Sequence, residues 1–131
     1  MVDITPKPHI LVLNTSEAFL QLMQDLLTEE GYRVSIDTKV GQTTDDVIAL
    51  GPDLVIVDFV WVSDQSGWVF LQLLKLDPRT SNIPAILCTA GVQEAENLRP
   101  HLEDKGIRIV FKPFDLQDIL EAIASQLGAR R

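Results

Sequence analysis

The sequence predicts an α/β domain, a doubly wound parallel sheet of five strands alternating with five helices. Three observations carry that expectation. Short apolar runs rich in Val, Ile and Leu recur along the chain, the most complete being Leu54-Val55-Ile56-Val57. Between them lie segments whose apolar residues repeat at helical spacing. Most junctions carry a glycine, a proline or a capping side chain. Single strands alternating with helices require crossover connections, hence a parallel sheet, and right-handed crossovers cover both its faces.

Met1 to Pro8 holds two of the prolines and few apolar residues, and reads as a lead-in. His9 to Leu13 is a buried strand. Asn14, Thr15 and Ser16 all suit a helix N-cap, with Glu17 three residues after Asn14 as a capping-box partner. Phe19, Leu22, Met23, Leu26 and Leu27 then form a helical stripe that stops at Gly31. Val34 and Ile36 alternate with polar residues in an edge strand, and Thr38 to Thr44 is loop. A short helix from Asp45 to Leu50 ends at Gly51, and Asp53 to Asp58 is the third strand. After the loop Phe59 to Ser66, a helix from Gly67 or Trp68 to Leu76 carries Phe70, Leu71, Leu73 and Leu74 as its apolar residues. Pro84 to Thr89 is the fourth strand. The segment from Gly91 to about Lys105 is a weaker helix, which Pro100 should kink or shorten. Ile107 to Phe111 is the fifth strand. Lys112-Pro113 ends it, Asp115 caps, and Leu116, Ile119, Leu120, Ile123 and Leu127 line the last helix.

Composition narrows the function classes. At 131 residues, with 46% hydrophobic and 23% charged residues, the chain has the makings of one folded domain spanning 1–131, with no output domain expected. A net charge of −8 argues against general nucleic-acid binding and against docking on anionic membranes. The single Cys88 cannot form an intramolecular disulfide, which fits the cytoplasm. No apolar run approaches the roughly 18 residues of a membrane span.

Chemistry is expected at the carboxyl ends of the strands, the rim where open parallel sheets place their ligands. Asp58 ends the third strand, Thr89 the fourth and Lys112 follows the fifth, while Asn14 and Thr15 follow the first. A carboxylate, a hydroxyl and an ammonium on one rim suit phosphoryl chemistry: the carboxylate as nucleophile, the other two holding the oxygens of the transferred group. Taken singly, Thr89 reads equally as a strand-end hydroxyl bonded to backbone, and Lys112 as a surface lysine. Trp61 and Trp68 flank the loop after Asp58, either covering the rim or offering a partner contact. No second acid or base accompanies Asp58, so an enzyme is not expected.

From His9 to about Leu127 the sequence resembles the receiver domain of two-component response regulators. The resemblance rests on Glu30-Gly31-Tyr32, Pro52-Asp53-Leu54-Val55-Ile56-Val57-Asp58, Asp77-Pro78-Arg79-Thr80, Ile83-Pro84 through Thr89-Ala90, and Lys112-Pro113-Phe114-Asp115. It implies a flavodoxin-like sheet of order 2-1-3-4-5. It also implies Asp58 as phosphoacceptor, Thr89 as switch hydroxyl, Lys112 as phosphate-binding lysine and a cis bond before Pro113. Signalling proteins, among them a sensor histidine kinase, are the implied partners of a monomer or weak homodimer.

Three departures qualify that picture. Receivers of the usual kind follow the first strand with two adjacent acids that hold Mg²⁺ with the phosphoacceptor; here Asn14-Thr15 stands there. The implied metal position, among Asn14, Thr15, Asp58 and Val60, thus keeps Asp58 as its only carboxylate. Ile109 occupies the place of the switch aromatic, three before the lysine. The loop after Asp58 lacks the family's proline and is one residue longer. The expected function is an atypical stand-alone receiver acting through protein contacts, with weak or absent Mg²⁺-dependent phosphorylation. Competing readings are a working phosphoacceptor charged by a histidine kinase, and a flavodoxin-like nucleotide or flavin module. The last lacks a Gly-rich phosphate loop after the first strand.

Overall fold

A computed structural model describes residues 7–14, 16–38, 44–58, 66–90 and 92–129, with main chain alone at 58, 66–68, 92–95 and 129. Five strands, β1 (His9–Leu13), β2 (Arg33–Asp37), β3 (Leu54–Asp58), β4 (Ala85–Thr89) and β5 (Ile107–Phe111), form one sheet in the order β2-β1-β3-β4-β5. Every pairing is parallel. The five helices are α1 (Glu17–Glu29), α2 (Thr44–Leu50), α3 (Ser66–Leu76), α4 (Val92–Asp104) and α5 (Leu116–Ala129).

The two-residue period of the strands divides the core. Ile10, Val12, Ile56 and Ile86 pack with Leu20 and Met23 of α1 and Ile119 and Ile123 of α5. Their neighbours Leu11, Val55, Val57 and Leu87 pack on the other face with Val47 of α2, Phe70 and Leu74 of α3 and Leu102 of α4. β1, β3 and β4, buried on both sides, are therefore the strands that read as unbroken apolar runs, whereas β2 is the half-exposed edge.

Caps set the ends of the helices. Ser16, not Asn14, is the N-cap of α1: its Oγ accepts the Phe19 N–H at 3.2 Å. Asn14 makes the preceding turn, its Oδ1 accepting the Ser16 N–H at 2.8 Å, so the capping box expected from Asn14 and Glu17 does not form. The reciprocal box is on α5. Asp115 Oδ1 accepts the Asp118 N–H at 2.9 Å, and Asp118 Oδ2 accepts the Asp115 N–H at 3.1 Å. At the end of α1, Gly31 adopts φ +93°, letting its N–H reach Thr28 O and that of Tyr32 reach Leu27 O.

Pro100 does not shorten its helix. α4 runs unbroken through Pro100 to Asp104. Pro100 is exposed, so solvent can satisfy the carbonyl that loses its helical partner. Leu73 does not join the core of α3: Phe70, Leu71 and Leu74 do, and Leu73 stays 49% exposed. The Asp77–Thr80 turn locks the foot of α3, with Thr80 Oγ1, fully buried, donating to Leu74 O at 2.7 Å. Hydrogen bonds from Arg79 hold the Asp77 carboxyl well below the usual carboxylate range, and Arg79 also reaches Asp45 of α2 at 2.9 Å.

Candidate functional site

The order of the sheet brings the expected residues to one rim. β1, β3, β4 and β5 are consecutive neighbours. With strands about 4.8 Å apart, Asn14, Asp58, Thr89 and Lys112 lie along roughly 15 Å of it. The register is tight: Asp58 pairs with Cys88, Thr89 pairs with Phe111, and the Lys112 N–H donates to Thr89 O at 2.9 Å. The Lys112–Pro113 peptide bond is cis. Thr89 is fully buried and Lys112 is half-buried, while Asn14 lies just under the surface. Thr15, Val60, Trp61 and the Asp58 carboxylate, and with the last any direct Asp58–Lys112 ion pair, lie outside the described residues, as does the Trp68 ring.

Ile109 packs with the core on the α4 face. Phe111, two residues on and on the same face, sits under the Arg99 guanidinium, 5.2 Å from its ring centroid. An aromatic is thus present near the rim, but as a platform for an α4 cation and not in the place of Ile109.

Sequence reasoning overlooked Asp37. It ends β2 as Asp58 ends β3, and its carbonyl accepts the Asn14 N–H at 3.3 Å. A carboxylate at a strand's carboxyl end was the available signal; the polar alternation of an edge strand masked it.

The described donors do not fit a Mg²⁺ site of the kind the resemblance implies. Mg²⁺ demands near-octahedral oxygens, usually with one or two carboxylates. After β1 this chain offers an amide that carries no charge and whose oxygen already accepts the Ser16 N–H. Among the described residues, no group of three His, Cys, Asp or Glu side chains comes together. Among the described residues, cavities of about 450 and 380 Å³ lie at the opposite rim, around Gly106 and Gln126. Among the described residues, no helix is long and apolar enough to cross a membrane.

Comparison with known proteins agrees with this architecture. A sensor protein from Polaromonas sp. superposes with a TM-score of 0.80 at 20% identity, over 96% of this chain and 100% of that one. A CheY-like receiver domain protein from Methanospirillum hungatei gives 0.76 at 23%, over 95% and 97%. In sequence, the DNA-binding dual master transcriptional regulator RpaA of Synechocystis sp. is 29% identical over 92% of this chain and 49% of its own length. The phosphate regulon transcriptional regulatory protein PhoB of Rhizobium meliloti is 28% identical over 92% and 52%. The chain thus spans about half the length of these curated relatives. Residues 10–124 match the response regulator receiver domain, nearly the whole of the doubly wound sheet with its rim of Asp58, Thr89 and Lys112. The chain belongs to the response regulator receiver domain family and is a module of two-component signalling.

Proposed function

We propose that this receiver works through protein–protein contacts, with Mg²⁺-dependent phosphorylation at Asp58 weak or absent. Receiver domains as a family take phosphoryl groups with the help of Mg²⁺ and engage histidine kinases and other signalling proteins. The observation that carries the departure is Asn14, a neutral amide bonded to the Ser16 N–H where the family supplies anionic metal ligands. In this reading Asp58, Thr89 and Lys112 keep the acceptor, hydroxyl and ammonium roles in outline. The partners are cytoplasmic signalling proteins, a sensor histidine kinase among them, and nucleic acid is not one of them.

The test is intact mass spectrometry after incubation with a small-molecule phosphodonor, with and without Mg²⁺. Little adduct is expected, and no dependence on Mg²⁺. A near-complete, Mg²⁺-dependent adduct that Asp58→Asn abolishes would establish the second reading, a working phosphoacceptor. That reading draws support from the bonded placement of Thr89 and Lys112 at neighbouring strand ends. Millimolar Mg²⁺ should leave the thermal midpoint of the wild type unmoved. The double change Asn14→Asp with Thr15→Asp should create a saturable shift, and should lower the midpoint without metal by crowding carboxylates around Asp58.

A further inference from the structure

The last turn of α3 carries a lysine that draws no anion to itself. Lys75 is half-buried, and its Nζ donates to the carbonyls of Ser81 at 3.2 Å and Ile83 at 2.5 Å. Among the described residues no carboxylate forms an ion pair with it, although a lysine seldom leaves water unpaired. The two carbonyls take two of the three protons of the ammonium, or both protons of the neutral amine. Lys75 also lines a cavity of about 380 Å³ at the rim opposite Asp58. Gly106 keeps the nitrogen uncovered there: its φ is +77°, and a Cβ on it would come to 3.5 Å from Nζ. Lys105, Ser81 and Asn82 line the same cavity, and Asp104 is its acid among the described residues. Burial lowers the Lys75 pKa from 10.5 to about 8. Near pH 7.5 roughly a quarter of the group is then free amine, against about a thousandth for an ordinary lysine.

We infer that Lys75 is a Schiff-base site for a small aldehyde bearing a phosphate group, with the aldehyde carbon at Nζ and the phosphate toward Lys105. A desolvated lysine beside a second cation is the kind that attacks carbonyl carbon. Overall, the ammonium and the aldehyde give a protonated imine and one water. The C=N bond forms as the C=O bond breaks, and the oxygen leaves with two of the three Nζ protons. The proton that remains, and the positive charge, stay with the carbonyls that already hold them. An acyl donor suits the site less, because an amide discards that charge and leaves the carbonyls with a weaker donor. The phosphate is favoured by the ammonium of Lys105 and by the Ser81 and Asn82 side chains, and opposed by Asp104. The site goes beyond the proposed function and needs no phosphoryl group at Asp58.

The test is to incubate the chain with pyridoxal 5′-phosphate at neutral pH, reduce with borohydride, and map the adduct by peptide mass spectrometry. Lys75 itself is left intact, since its carbonyl bonds hold the turn after α3. It should carry about tenfold more adduct than each of Lys7, Lys39, Lys105 and Lys112. Pyridoxal, which lacks the phosphate, should label it about fivefold less. Lys105→Gln should lower the labelling of Lys75 and Asp104→Asn should raise it, both with an unchanged thermal midpoint. In urea all the lysines should label alike. Adduct spread evenly over the folded chain, or gathered on another lysine, overturns the inference. So does equal labelling by pyridoxal, a Lys105→Gln variant labelled as fully as the wild type, or a preference for Lys75 that survives unfolding.

Discussion

His9 is a buried imidazole at the start of a core strand, its Nε2 2.7 Å from Ser35 Oγ and its main-chain N–H donating to Asp53 Oδ2 at 2.8 Å. Burial, reinforced by Arg33 and opposed by Asp53, pushes its pKa below 6.5. The unfolded chain therefore binds the proton more readily, and stability is lost as pH falls through 6.5 toward the folded-state value. The thermal midpoint should drop as the pH falls below about 6.5, and His9→Gln should flatten that drop. Lys75 is shifted in the same sense for the same reason: burial lowers it from 10.5 to about 8. Above pH 8 the folded form releases the proton first, so this group adds stability as pH rises toward 10.5. The gain is small because the side chain is only half-buried. Lys75→Met should remove it and, by leaving the Ser81 and Ile83 carbonyls without their donor, cost about 1–3 kcal/mol at neutral pH in urea unfolding. Neither environment was legible in the sequence. The partners of His9 lie 26 and 44 positions away, and no local pattern reports them.

At the scale of elements, every strand and helix was legible to within a residue or two, since periods of 2 and 3.6 are written locally. What local reading left undecided were choices among equivalents. Asn14, Thr15 and Ser16 are all competent caps, and which one serves depends on where β1 releases the chain. The Asn14 N–H is held by Asp37 O, so the helix begins beyond it. Leu73 was grouped with its apolar neighbours, although only contact with the sheet decides which side of an all-apolar helix is core. The α5 box makes a prediction. Asp115→Ala should destabilise the protein by about 1 kcal/mol, and Asp115→Asn, which keeps the acceptor, by much less. A double-mutant cycle with Asp118→Ala should show coupling, because each carboxylate accepts the other residue's main-chain N–H.

Across the whole molecule, topology brings separate strand ends to one rim. Asp58, Thr89 and Lys112 are far apart in sequence and fall on consecutive strands only because the order is β2-β1-β3-β4-β5. That much of the placement could be read in advance, since a doubly wound sheet allows few orders; Asp37, which ends β2 at the same rim, did not stand out because edge strands advertise polar residues everywhere. The same scale decides how charge acts. At −8 the chain repels itself within one molecule and between two. Raising ionic strength from 0.01 M to 0.1 M shortens the screening length from about 30 Å to about 10 Å. Added sodium chloride in that range should therefore raise the thermal midpoint. Differential scanning calorimetry at the two salt concentrations checks it, and a midpoint that salt leaves unmoved would show that self-repulsion does not limit stability.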